Sequence, residues 1–364
     1  MKVLTVGGAM VDTIAIIQSD RIERMTMRNA DADFLLLEEG RKIEASDISG
    51  HVGGGAVNAA VSFARGGHDV STLLKLGKDA RAETVLDRLR AEGVSTQWVV
   101  YDDRAPTGAS VLISSHDRNA AIFTFRGANT LLQTKDLREE AFDVGLVYIS
   151  TLSNDSADRF PELIAHARTH GAKVATNPGK RQLSARGHAF FDTLSGIDIL
   201  CVNASEANVL VPALIPRCGE GGVSLSTPSG GETPQLMARG LTGGGFDMSL
   251  PRFMGELRNS GVGAVLVTDG MHGAYLAMGN ELLWCPVLET EVVGTAGAGD
   301  AFASTLSAYL ASGTDPDQAL RAAACNAASV VGAVDTQTGL LDQAALTATV
   351  REKTKSLPVV RWQV

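Results

Sequence analysis

Short apolar runs alternate with longer stretches of helical periodicity along most of this chain. The runs fall at Val3 to Val6, Val70 to Leu76, Val144 to Ser150, Lys173 to Thr176, Ile197 to Val202 and Ala264 to Thr268, bounded by Gly, Asn or polar residues. Such continuous β-rich runs suit strands covered on both faces, as a parallel sheet between helix layers requires. Between them, Val57, Ala60, Val61 and Ala64 recur at helical spacing, and Phe302, Leu306, Tyr309 and Leu310 do so up to a C-capping Gly313. Asp315 then caps a further helix with Pro316 at its first position. The pattern predicts a doubly wound α/β core.

Two stretches break the alternation. Residues 13–50 and 98–127 carry strand material without crossover helices, and in the second Ala109 to Ser114 and Ala120 to Phe125 flank a polar turn, Ser115 to Asn119. They predict a small antiparallel sheet beside a large domain made of residues 1–12, 51–97 and 128–364. Its exposed strands suit edge pairing between subunits, so a homodimer is one expected outcome. Residues 212–251, crowded with Gly, Pro, Ser and Thr, read as a long insertion loop in the large domain.

Composition narrows the partners. Hydrophobic residues make up 45% and charged residues 20% of the 364, which is ordinary for a globular chain; the 39 glycines exceed the usual ~7% and point to tight turns and close backbone approaches. A net charge of −9 gives the chain no electrostatic reason to bind nucleic acid or an anionic membrane, and neither partner is expected. Cys201, Cys218, Cys285 and Cys325 are dispersed, without zinc-site spacing or disulfide density, which fits a reducing cytoplasm. The apolar stretch from Met1 to Ile17 is broken by Gly7, Gly8 and Asp12 and reads as a buried strand rather than a signal peptide.

The most informative segment is Gly294 to Asp300, Gly-Thr-Ala-Gly-Ala-Gly-Asp, at the start of a helix. Side chains nearly vanish there, so the amides of Gly297, Ala298 and Gly299 can face an anion that the helix dipole also favours. Asp300 beside such a cradle is either an acidic N-cap or a base for an attacking hydroxyl. Gly53-Gly54-Gly55 precedes another helix with Asn58 in its first turn; it is a close-approach site or a flexible turn. Asp12 follows the first strand, where a carboxylate can accept two hydrogens from a polyol or simply sit in an exposed loop. Asn203 and Glu206, three apart, can hold a hydrated Mg²⁺ against phosphates or form a capping box. Thr268, Gly270 and Gly273 can border a nucleotide base or make a tight turn. Neither a Walker A loop nor a Gly-x-Gly-x-x-Gly after the first strand is present, which disfavours a P-loop NTPase or a dinucleotide oxidoreductase.

In this order the segments resemble the ribokinase-like (PfkB) carbohydrate kinases. Gly53 to Gly67, GGGAVNAAVSFARGG, is similar to the family's first signature and Gly294 to Phe302, GTAGAGDAF, to its second; Asn203-x-x-Glu206 and Thr268-x-Gly270-x-x-Gly273 match two further elements. The resemblance spans nearly the whole chain and implies a large α/β domain with a β lid formed by residues 13–50 and 98–127. It implies ATP-dependent transfer of the γ-phosphoryl group to a primary hydroxyl of a sugar or nucleoside. Asp300 is then the base and Gly297, Ala298 and Gly299 the anion hole, with Asn203 and Glu206 the phosphate and Mg²⁺ element. Asp12, Gly54 and Asn58 match substrate positions, while Thr268, Gly270 and Asn326 match the nucleotide pocket. Hinges are expected near Gly53 to Gly55 and at Gly108.

The chain departs from the family pattern in places. Gly294 stands where an Asp usually helps build a monovalent-cation site, which removes support for potassium activation. Cys201 replaces a Lys common in relatives that act on sugar phosphates, so an uncharged sugar or nucleoside is the expected acceptor. Met25, Met27, Phe34, Phe123 and Phe125 are candidates for discriminating it or for packing the lid. Lys180 and Arg181, beyond Asn177-Pro178-Gly179, can reach a phosphate or remain solvated. The competing class is a binding or regulatory protein that keeps the pocket without turnover.

Overall fold

The computed structural model describes residues 1–17, 23–26, 33–36, 40, 42–115, 120–228 and 232–364. Met27 and residues 116–119 lie outside them, as do the side chains of Met25 and Phe34. The chain opens with β1 (Lys2–Gly7), β2 (Met10–Ile17), β3 (Glu23–Thr26), β4 (Asp33–Leu36), β5 (Ala45–Gly53) and α1 (Gly55–Arg65). Next come β6 (Asp69–Gly77), α2 (Ala80–Ala91), β7 (Val100–Asp102), β8 (Gly108–Ser115) and β9 (Ala120–Phe125). The middle runs β10 (Leu146–Ile149), α3 (Phe160–Thr169), β11 (Lys173–Thr176), α4 (Lys180–Ala185), α5 (Gly187–Asp192), β12 (Ile199–Asn203) and α6 (Ala204–Cys218). It continues through α7 (Gln235–Arg239), β13 (Leu241–Gly243), β14 (Phe246–Met248), α8 (Leu250–Asn259) and β15 (Ala264–Thr268). β16 (Ala274–Met278), β17 (Glu281–Cys285), α9 (Ala298–Ala311), α10 (Pro316–Val331), α11 (Gln343–Lys353) and β18 (Val360–Gln363) complete it.

The main sheet has ten strands in the order β18-β17-β16-β15-β12-β11-β10-β1-β6-β7. It is parallel from β15 to β7 and antiparallel where β16, β17 and β18 add to one edge. The apolar runs explain the burial: Val3, Leu4, Val147, Tyr148, Val174 and Val265 are inaccessible, their side chains divided between two helix-covered cores. The fold is thus the ribokinase-like α/β arrangement, with helices on both faces. Gly313, with φ +79°, follows α9, and Asp315 caps α10 ahead of Pro316, as the sequence predicts.

The chain leaves β1 toward β6 on one side, whereas β10, β11 and β12 build outward on the other. The direction of winding therefore reverses between β1 and β10, and the crevice beyond their carboxyl ends is where such sheets bind ligands. Gly7 and Ser150 sit at its base.

A second sheet, ordered β5-β2-β8-β9, rises from that edge. It is mixed rather than purely antiparallel, because β2 and β8 both run away from the main sheet and pair in parallel, Asp12 opposite Ser110. Three expected boundaries shift. β7 pairs with Lys75–Gly77 of the main sheet, so residues 100–102 do not belong to the lid. Asp12 lies within the lid strand β2, and residues 51–53 extend the lid strand β5. The stretch 212–251 is not one loop: α6 continues through Pro212 and Pro216 to Cys218, and α7 and the β13–β14 hairpin follow. The buried face of α6 (Leu210, Val211, Leu214) outweighs the hydrogen bonds that the two prolines remove. Phe123 and Phe125 are each more than half exposed on one face of the lid, with Val111 beside them; Asp12, Ser110 and His51 occupy the opposite face by strand alternation. No helix among the described residues is long and apolar enough to cross a membrane.

Candidate active site

The site forms where α1 and α9 begin above the β1–β10 crevice. α9 starts from Gly297 in the left-handed region, φ +83°, so the chain turns sharply and leaves the first helical amides, those of Ala298, Gly299 and Asp300, without a carbonyl four residues back. Gly297 has no room for a side chain: an added Cβ would lie 2.7 Å from the Thr336 Cβ. Asp300 is the third residue of the helix and caps nothing. Its Oδ2 instead accepts from Asn58 Nδ2 at 2.7 Å, across 242 residues of sequence.

Asn58 is buried in α1, and its Oδ1 accepts from Thr336 Oγ1 at 2.8 Å and from Gln337 Nε2 at 3.0 Å. With its oxygen fixed by these two donors, the amide must present its nitrogen to Asp300. The expectation that Asn58 holds substrate is therefore modified, since one of its two amide hydrogens already orients the carboxylate. Burial raises the Asp300 pKa, and the Asn58 hydrogen bond opposes that shift. Gly54, with φ +99°, brings its backbone against Gly8 and Ala9; a Cβ there would lie 2.5 Å from the Gly8 carbonyl oxygen. The close approach there is to the protein's own backbone.

The lid supplies a second carboxylate. Asp12 Oδ1 accepts from Ser110 Oγ at 2.5 Å, and burial raises its pKa against the opposing effects of Ser110 and His51. Ser150 closes the floor. Its buried Oγ has no hydrogen-bond partner, and a methyl group added at Gly55 would lie 3.1 Å from that oxygen and 3.5 Å from Asp300 Oδ1. Buried hydroxyls usually have a partner, so this one is open to a contact from the crevice.

Asn203 and Glu206 form the capping box in full: Glu206 N donates to Asn203 Oδ1 and Asn203 N donates to Glu206 Oε2, both at 2.9 Å. The same carboxylate is pushed up to about 7 by burial, with the Asp300 charge adding to the shift. A carboxylate whose ionisation is made costly by burial and by a neighbouring acid suits a site that receives a cation, and a Mg²⁺ held mainly by phosphates needs only one or two acids. Among the described residues no cluster of three or more His, Cys, Asp or Glu could hold a metal unaided.

Thr268 ends β15 and leads into a turn in which Asp269 N donates to the Gly273 carbonyl, with φ +54° at Gly270 and +95° at Gly273. Asp269 is held by Arg239 through bonds of 2.7 and 2.9 Å. Asn326 is buried: its Nδ2 donates to Thr305 Oγ1 at 2.8 Å and its Oδ1 accepts from Leu341 N at 2.9 Å, tying α10 to α9. Only one amide hydrogen is left for a nucleotide. Sequence reading missed Ser110, Ser150, Thr336 and Gln337; only Ser150 carried a signal, its place just after a strand of the parallel sheet.

The family model described as pfkB family carbohydrate kinase matches residues 23–223 and 252–343, leaving unmatched the stretch that contains α7 and the β13–β14 hairpin. A deoxyribokinase of Salmonella typhi is 24% identical over 327 residues, 89% of this chain and 94% of its own. The ribokinase of Mus musculus is 26% identical over 313 residues, 85% and 81% of the two chains. The structure of Arabidopsis thaliana ribokinase complexed with ribose and ATP superposes with a TM-score of 0.70 at 21% identity, covering 96% of this chain and 98% of that one. Adenosine kinase from Sinorhizobium meliloti also gives 0.70, at 20% identity and the same coverage. With both signatures meeting at one crevice and the family model matching on either side of a single gap, the chain belongs to the pfkB family of carbohydrate kinases.

Proposed function

We propose that this protein transfers the γ-phosphoryl group of ATP to a primary hydroxyl of a sugar or nucleoside. The observation that carries the reading is Asp300, a carboxylate held by Asn58 at the start of α9 beside amides free to receive an anion. Asp12 binds acceptor hydroxyls, and Gly54 lets the acceptor approach the backbone. Asp300 takes the proton from the attacking hydroxyl, and the amides at residues 297–299 stabilise the charge on the migrating group. Thr268, Gly270 and Gly273 border the nucleotide. Glu206, with Asn203, would hold Mg²⁺, which supplies charge neutralisation to the phosphates when bound. Closure of the lid about Gly53–Gly55 and Gly108 excludes water from the transfer. An ATP-consumption screen over sugars and nucleosides tests the reading, and ATP use with none of them would end it.

Two variants separate the parts. Asp12→Asn keeps one acceptor oxygen but loses the charge, and should raise KM for the acceptor ~10-fold or more, with KM for ATP unchanged. An equal rise in both would place Asp12 elsewhere in the cycle. Glu206→Gln keeps an oxygen for the Asn203 amide, so the cap survives. A raised carboxylate pKa in the fold means that stability is full below pH 4.5 and falls as pH rises through about 7. The variant should therefore melt ~1–3 °C above the parent protein at pH 8 and level with it at pH 4. Parent turnover should vanish on chelation of Mg²⁺, and Mg²⁺ should raise its melting temperature at pH 8 but not that of Glu206→Gln.

A further inference from the structure

A cavity of about 260 Å³ adjoins the crevice, lined by Arg126, Thr151, Ser153, Asn154, Arg181 and Arg186 among others. Thr151 follows Ser150 directly, so this cavity continues the floor on which the acceptor lies. Its walls come from three places: the end of β9, the segment after β10, and α4 with Arg186 just beyond it. Gly179 packs against Thr151, fixing α4 to that loop. Asn154, at φ +47°, is the only non-glycine residue with positive φ among those described, and it too lines the cavity.

The charges there are unbalanced. Arg186 is neutralised by Asp158 at 3.1 Å and Asp155 at 3.8 Å. Arg126 donates to the Ser153 hydroxyl at 2.9 Å and, like Arg181, has no carboxylate within ion-pair distance among the described residues. The Arg126 pKa is lowered by burial and by the charge of Arg181, which lines the same cavity. A chain of net charge −9 has carboxylates in excess, yet none among the described residues pairs with these two. Guanidinium forks match planar carboxylate and phosphate oxygens, and a polyol supplies nothing to pair with them.

We infer that this cavity is the subsite for an anionic group of the acceptor, so that the substrate is an acidic sugar carrying a carboxylate or phosphate distal to the hydroxyl that is phosphorylated. The inference rests on the kinase reading and deepens it. It replaces the neutral acceptor expected from Cys201. That side chain is buried against Ser307 and takes no part in the cavity, so it carries no information about acceptor charge.

The experiment measures binding and turnover with D-ribose, D-gluconate and ribose 5-phosphate, on the parent protein, Arg181→Ala and Arg126→Gln. Arg181 is exposed, so its removal leaves the fold intact, and melting temperature verifies this. The expected result is tighter binding of one of the two acids than of ribose, weakened about 10- to 100-fold in each variant, with KM for ATP unmoved. Preference for gluconate identifies a carboxylate subsite and preference for ribose 5-phosphate a phosphate one. Ribose bound best, or acid binding unchanged in both variants, would overturn the inference while leaving the kinase reading in place. Calorimetric binding of an acid lost in the variants, without ATP consumption by the parent, would uphold the subsite and sink the kinase reading.

Discussion

Asp300→Asn should lower kcat by ~10²–10⁴-fold while leaving the acceptor dissociation constant within a factor of two or three. The substitution is nearly isosteric, and the side-chain oxygen that accepts from Asn58 Nδ2 is retained. Only the capacity to take a proton is lost. The fold should not suffer: because burial raises the Asp300 pKa, the ionised form is disfavoured in the folded state. Its stabilising contribution is complete below pH 3.8 and falls as pH rises through the elevated value, so at pH 8 the amide variant should melt no lower than the parent. The same titration sets the acid limb of the rate profile, since Asp300 must be ionised to act. That limb should lie above pH 3.8 and vanish in the variant's residual activity. Full turnover by Asp300→Asn, with the acceptor bound normally, would show that some other group takes the proton.

How much of this was legible in the sequence depends on whether the parts are local. The open helix start was readable because Gly297, Ala298 and Gly299 adjoin the helix they open, and the chemistry of a helix start is written in a few consecutive residues. The capping box of Asn203 and Glu206 was equally local, and it forms as one of the two readings anticipated. By contrast, Asn58 meets Asp300 across 242 residues and Thr336 across 278, so its part in orienting the base could not be read from its own neighbourhood. Ser110 reaches Asp12 only because β2 and β8 pair in parallel, which depends on how the lid strands leave the main sheet. Charge followed the same division: Arg181 stood out as a basic residue after a strand, but that it has no carboxylate partner among the described residues is a property of the fold. The stretch 212–251 misled because Pro212 and Pro216 signal a break locally, while the burial that keeps α6 intact comes from the core.

Gly297→Ala should abolish most turnover and destabilise the protein together, a pairing that tests the cradle from its backbone. At φ +83° an alanine pays ~1–3 kcal/mol of strain, and its methyl would press on Thr336 at 2.7 Å. Thr336 is the residue whose hydroxyl holds the Asn58 oxygen, so a displacement there passes through Asn58 to the carboxylate of Asp300. The anion hole and the base are thus linked by one chain of contacts. Loss of an anion-hole donor alone costs ~10²–10³-fold in kcat, and misplacing the base should add to it. Gly299→Ala is the matched control. It lies in helical backbone, and nothing sits within 4 Å of its added Cβ, so the methyl removes conformational freedom from the unfolded chain without strain. Its melting temperature should equal or exceed the parent's. If Gly297→Ala retained parent-like kcat while melting early, strain at the turn would be structural only, and the phosphoryl group would have to be received elsewhere than at the start of α9.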